Sequence, residues 1–228
     1  MGEVKVVHID IGSCEGCGVS ALRALAGIKG KGVVYYTPYL LKQLHEIPKE
    51  FDIALVTGAV CMNDEKVINR LKEIRENVRI VIAFGSCSAV GGILRFARGG
   101  QEPRPEHRTF LPINSVIKVD YSIPGCPPPP PVLQSFMRFL TSGNEERLKL
   151  FRAIAEKRKL SGFDLIDDVV LTGICIGCGA CEISCPTKAI RLVNGRPDLI
   201  PEKCIRCGTC YVRCPRASQL LLVRGGSA

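Results

Sequence analysis

The chain has 228 residues, 46% hydrophobic and 23% charged, which suits one large or two smaller packed domains and excludes a disordered chain. It has no Trp and only 6% aromatic residues, too few for the platforms on which single-stranded nucleic acid stacks. Lys and Arg outnumber Asp and Glu by 31 to 22, a net charge of +9, and the 13 Cys form an odd count that does not suit a disulfide scaffold.

The first part alternates short β-branched runs with helical patterns. Val4–Ile9 is a strand, followed by a Gly/Cys loop and a helix over Val19–Ala26. Val33–Thr37 and Asp52–Thr57 are the next strands. A loop over Gly58–Asn63 leads to a helix over Asp64–Glu76, and Arg79–Phe84 is a fourth strand that ends in a Gly-rich loop. Val116–Ile123 is a fifth, before Gly125, Cys126, five prolines and a helix through Leu133–Leu140. Strands alternating with helices imply a parallel sheet covered on both faces. The expected fold class is α/β: a flavodoxin-like parallel-sheet domain over residues 1–143. A helix opens after Ser142 or Asn144, either of which suits an N-cap. Its Lys, Arg and Glu make residues 144–164 a solvated or docking linker. The composition then turns Cys-, Gly- and Pro-rich, and residues 165–228 form a small α+β domain with a C-terminal tail.

The N-terminus lacks a charged leader before an apolar core, and the longest apolar runs, near Ile53–Val60 and Ile80–Phe84, are too short to cross a bilayer. A cytoplasmic protein is expected, with no membrane or nucleic-acid partner. Its cysteines then serve as thiolate ligands rather than disulfides.

Two segments repeat at an offset of 29 residues: Cys175-Ile-Gly-Cys178-Gly-Ala-Cys181-Glu-Ile-Ser-Cys185-Pro186 and Cys204-Ile-Arg-Cys207-Gly-Thr-Cys210-Tyr-Val-Arg-Cys214-Pro215. Each is the C-x2-C-x2-C-x3-C-P run of a two-cluster bacterial ferredoxin, in which the fourth Cys ligates the other cluster. One 4Fe–4S cluster is thus assigned to Cys175, Cys178, Cys181 and Cys214, and another to Cys204, Cys207, Cys210 and Cys185. Zinc is the competing reading of a C-x2-C pair, but zinc sites close with four ligands and do not need two such runs in register. Between the runs, Asn194-Gly195 marks a hairpin.

Five Cys remain, each just after a strand: Cys14 and Cys17 after the first, Cys61 after the third, Cys87 after the fourth and Cys126 after the fifth. In a doubly wound sheet these loops gather along one edge. A cubane takes four thiols, and the apolar run Ala59-Val60-Cys61-Met62 makes Cys61 the one that fits a core role.

The C-x2-C after the first strand, Gly85-Ser-Cys87 before Gly91-Gly92, and Gly125-Cys126-Pro-Pro together resemble the small subunits of nickel–iron hydrogenases. With the 98–113 segment Arg-Gly-Gly-Gln-x-x-x-Pro-x-His-x-x-Phe-x-Pro-Ile and the fused ferredoxin, nearly the whole chain resembles the gamma subunits of archaeal coenzyme F-420-reducing hydrogenases. The resemblance implies a proximal 4Fe–4S cluster on Cys14, Cys17, Cys87 and Cys126, three clusters in all, and no catalytic residue in this chain. It also implies a nickel–iron large (alpha) subunit that splits H2, an FAD-containing beta subunit that reduces coenzyme F-420, and a hetero-oligomer. A related complex using ferredoxin, NAD(P) or a heterodisulfide is the alternative, and a stand-alone carrier is a third. Twelve thiolates and three cores of about 2+ each would lower the net charge to about +3. Glu15 could relay protons but reads better as a surface or backbone-bonded carboxylate, and His107 reads as structural.

Overall fold

A computed structural model describes residues 4–28, 33–36, 51–92, 94, 109–156, 161–206 and 208–217. The central sheet has five strands: β1 (Val4–Asp10), β2 (Val33–Tyr36), β3 (Phe51–Thr57), β5 (Val78–Phe84) and β7 (Tyr121–Ile123). They lie in the order β2-β1-β3-β5-β7, and every pairing is parallel. Counting only these strands, the order is 2-1-3-4-5, that of a flavodoxin-like sheet, whose ligand crevice lies beyond the carboxyl ends of the strands. The expected α/β class holds. Val6, Val7, Ile9, Ile53, Leu55, Val81 and Ile82 are all buried, because helices cover both faces and leave no polar alternation.

Helix α1 (Gly16–Ala26) starts three residues before the expected Val19, so Cys17 sits in its first turn. Its small buried residues Gly18, Ser20, Ala21 and Ala24 allow close packing on α4 (Pro130–Thr141). There Gln134 Nε2 donates to Ala24 O at 3.1 Å. Proline at the start of α4 supplies a preset φ where no N–H partner is needed, and Val132, Leu133, Phe136 and Met137 form its buried stripe. Helix α2 (Glu65–Asn77) is capped by Asp64, whose Oδ1 accepts from Lys66 N and Val67 N.

The fifth strand is shorter than expected. Ile113 O accepts from the N–H of both Val116 and Ile117, which coils the chain after a 3-10 turn at Ile113–Ser115, and only Tyr121–Ile123 pairs with β5. The loop expected over 58–63 contains β4 (Val60–Cys61), paired antiparallel with β6 (Phe110–Leu111). Two-residue strands carry too little alternation to read from sequence.

Helix α5 (Glu145–Glu156) is a docking helix. Leu148, Phe151, Ile154 and Ala155 are buried, and it packs on β7 and α4. Of the two expected caps, Asn144 is used: its Oδ1 accepts from Arg147 N at 3.2 Å. The ring of Phe151 meets Phe136 edge-on at 5.0 Å, and Phe136 meets Tyr121 likewise at 5.2 Å. After α6 (Gly162–Leu165), closed by a Ser161/Asp164 capping box, and a π-helical turn at Ile166–Val170, the repeat begins. It consists of α7 (Ala180–Ser184), an antiparallel hairpin of β8 (Ile190–Val193) and β9 (Arg196–Leu199), and α8 (Thr209–Arg213). Asn194 and Gly195 both have positive φ, 50° and 73°, as the expected tight hairpin turn requires. One apolar core runs from the sheet through Leu165 and Val169 to Tyr211 and Ala217.

Candidate metal centres

The carboxyl edge of the sheet is built by the register of β1 on β3, which sets Asp10 opposite Thr57. Asp10 Oδ1 accepts from Gly12 N at 2.7 Å and Ser13 N at 2.8 Å, and its other oxygen accepts from the Ser13 hydroxyl and from Thr57 Oγ1. These bonds hold the loop that carries Cys14. Burial raises the Asp10 pKa, but the hydrogen bonds from Ser13, Gly12 and Thr57 outweigh it and the net shift is downward. Cys14 and Glu15 are exposed, and Glu15 has a left-handed φ of 63° as it enters α1. That surface position matches the carboxylate reading of Glu15.

Cys87 lies in α3 (Ser86–Val90), a five-residue helix too short to stand out in the sequence. Ser86 ties this turn to the Cys126 loop twice, donating its N–H and its hydroxyl to Gly125 O, each at 2.7 Å. Gly85 has φ +97°, and a Cβ there would fall 2.4 Å from Cys17 Sγ, so glycine alone lets the Cys87 loop lie against Cys17. Cys17 is thereby brought within electrostatic reach of Cys87, Cys126, Cys14 and Asp10. Burial first, then these neighbours, push its thiol up to about 12. Burial, then Cys126, Cys14 and Asp10, push Cys87 up to about 11. Cys61 is not in this group. It is half-buried in the β4–β6 ribbon, opposite Phe110.

In the repeat, Gly179 and Gly208 have matching left-handed φ values of 75° and 74°, and each opens a five-residue helix that ends at an extended Cys, 185 or 214. Equal spacing has become equal geometry. Cys175, Cys178, Cys181 and Cys214 line one pocket together with Leu165 and Val169. Cys185, Cys204 and Cys210 line a second. Each pocket thus joins cysteines from both runs, as a crossed ligand pattern demands. Cys207 lies outside the described residues, as does His107.

Burial raises the Cys181 thiol to about 11, with Cys214 and Cys175 adding to the rise. Cys214 is raised chiefly by burial as well. Cys185 differs: burial pushes its thiol up, but hydrogen bonds from Thr187, Ala189 and Ile190 bring the net shift below the usual value. The Ala189 N–H donates to Cys185 Sγ at 3.1 Å.

The donor sets are all sulfur and crowded, with Cys17, Cys181, Cys185, Cys210 and Cys214 buried. Thiolates so placed repel one another unless a soft, strongly cationic group lies between them, and an iron–sulfur core is such a group. Among the described residues, no three His, Cys, Asp or Glu side chains could hold a single metal ion. What the repeat thiols share is a pocket.

A family model described as NADH ubiquinone oxidoreductase, 20 Kd subunit, matches residues 14–140, and one described as a 4Fe-4S dicluster domain matches residues 168–215. The gamma subunit of the coenzyme F-420 hydrogenase of Methanosarcina barkeri is 39% identical over 211 residues, 86% of this chain and 80% of that one. Its counterpart in Methanococcus voltae is 36% identical, covering 86% of this chain and 88% of that one. The chain belongs to the coenzyme F-420 hydrogenase gamma-subunit family. A more distant relative, one of the subunits of an F-420-non-reducing hydrogenase from Methanocaldococcus jannaschii, is 33% identical over 64% of this chain and 58% of that protein.

Membership in the gamma-subunit family agrees with the architecture: a parallel-sheet part matched by the 20 Kd subunit model, joined to a 4Fe–4S dicluster domain. Among the described residues, no helix is long and apolar enough to cross a membrane. The sequence reading did not single out Asp10, Thr57 or Ser86, which shape the strand-end loops. The signal available for Asp10 was its place at the end of a strand, two residues before Gly12-Ser13, the pattern of a carboxylate that caps its own turn.

Proposed function

We propose that this chain is the electron-transfer subunit of a cytoplasmic nickel–iron hydrogenase that reduces coenzyme F-420. Three 4Fe–4S clusters are held by three thiol sets: Cys14, Cys17, Cys87 and Cys126; Cys175, Cys178, Cys181 and Cys214; and Cys185, Cys204, Cys207 and Cys210. When bound, such clusters accept and release one electron at a time. The chain's own residues fix the spacing of the three sites, exclude water from the buried thiols and donate hydrogen bonds to sulfur, as Ala189 does to Cys185. A large subunit would hold the nickel–iron centre at which H2 is split, and an FAD-bearing subunit would receive the electrons. The domain division follows the same roles, with residues 1–143 for the proximal site, 144–164 as connector and 165–228 for the paired sites.

The observation that carries this reading is the meeting of Cys14, Cys17, Cys87 and Cys126 from three separate strand-end loops, in a chain that also has a dicluster repeat. The relatives named for F-420 span 86% of this chain, the F-420-non-reducing relative 64%, which favours F-420 as the acceptor of the complex.

The test is made on the complex purified without oxygen. Iron and sulfide analysis should give about twelve of each per copy of this chain, after subtraction of the partners' content. H2 should reduce F-420 in preference to NAD(P). Zinc in place of iron would overturn the cluster assignment, and reduction of NAD(P) alone would overturn the acceptor.

A further inference from the structure

The strand-end site and the ferredoxin part meet at a guanidinium. Arg213 is the last residue of α8, and its Nη2 donates toward Cys126 Sγ at 3.8 Å, a reach suited to a large sulfur acceptor. The next residue in the chain is Cys214, which lines the pocket of Cys175, Cys178 and Cys181. A single residue therefore spans from one proposed ligand set to the next, joining parts of the chain 87 residues apart. The other pocket borders different elements. Gly162 of α6 and Ile190 of β8 line it, and a Cβ on Gly162 would stand 3.4 Å from Cys204 Sγ.

We infer that Arg213 is a positioning residue that couples the Cys126 site to the Cys175, Cys178, Cys181 and Cys214 site. That makes the latter the inner station of the ferredoxin part, and the Cys185, Cys204 and Cys210 site the outer one. This inference rests on the cluster ligation proposed above. In the transfer, one electron leaves by way of Cys126 and enters by way of Cys214. The first site is oxidised as the second is reduced, and no bond or proton changes hands. A cation donating to a ligating sulfur stabilises the reduced, more negative form of that site and so raises its potential. Arg213 thus holds the two sites in contact and tunes the first.

The experiment is a potentiometric titration of the whole complex followed by electron paramagnetic resonance. In R213Q the midpoint potential of the strand-end signal should fall. In R213K it should stay close to wild type, and in both the outer signal should not move. An unchanged strand-end potential in R213Q overturns the tuning role. Ligand variants decide the order independently, and serve also if R213Q fails to assemble. Cys178→Ser should abolish the magnetic broadening of the strand-end signal by its neighbour, whereas Cys204→Ser should leave it. The reverse pattern overturns the assignment. A complex in which this chain binds no iron overturns the proposed function as well, so the two failures are distinct.

Discussion

At the residue scale, the strand-end site depends on absent side chains as much as on thiols. Gly85→Ala would place a methyl 2.4 Å from Cys17 Sγ on a backbone with φ +97°. Neither the Cys17 sulfur, if it is a ligand, nor the Ser86 turn, bound twice to Gly125 O, can yield. The variant should lose about four irons per chain while keeping those of the ferredoxin part, as iron analysis and signal counting would show. His8 carries a second residue-level consequence. It is 1% exposed, with Nε2 3.0 Å from Thr57 Oγ1, and burial lowers its pKa to about 4 despite the nearby Asp10 charge. The unfolded chain therefore binds a proton that the folded chain refuses. Stability is fully present above about pH 6.5 and declines as pH falls toward 4, by about 3 kcal/mol in total. Asp10 acts in the same sense at lower pH, since its lowered pKa also makes protonation unfavourable to the fold. Unfolding midpoints compared between pH 7 and pH 5 should fall less steeply in His8→Gln than in wild type.

At the element scale, the short β7 is held by charge as well as by pairing. Asp120 Oδ2 accepts from Arg75 Nη1 at 2.6 Å and from Val81 N at 2.8 Å, linking the end of α2 to β5 just before β7 begins. Both side chains of the pair are about a quarter exposed, at 24% each, so the pair is only partly screened. Asp120→Ala leaves a backbone donor and a guanidinium short of an acceptor. It should lower stability by about 1–3 kcal/mol, read as a shift in urea midpoint with iron content unchanged. The same element explains a limit of sequence reading. Val116–Ile123 has the apolar content of a strand, yet the carbonyl of Ile113 takes two N–H groups and coils its first half. Local composition carries no record of that competition.

At the scale of the whole molecule, α5 extends the apolar core past the fifth strand of the sheet. Its charged sequence reads as a solvated or docking helix, and Leu148, Phe151 and Ile154 turn inward onto β7 and α4. Phe151, fully buried against Phe136, is the centre of that seam. Phe151→Ala should cost about 3–5 kcal/mol through the cavity it leaves. It should lower the melting temperature, as calorimetry of the purified complex would show.

Local chemistry and period are legible in the residue order alone. The repeat spacing named the paired sites, the Asn194-Gly195 turn named the hairpin, and β-branched runs between helices named a parallel sheet. These features are set by neighbours a few residues apart, and such spacing survives any arrangement of the rest. It takes the folded chain to bring Cys14, Cys17, Cys87 and Cys126 together while Cys61 stays in a side ribbon, and to carry Arg213 to Cys126. Those contacts depend on strand order, on Gly85 admitting Cys17, and on the end of α8 reaching the Cys126 loop. Each is a packing outcome between residues far apart in the chain, where no local pattern records the partner.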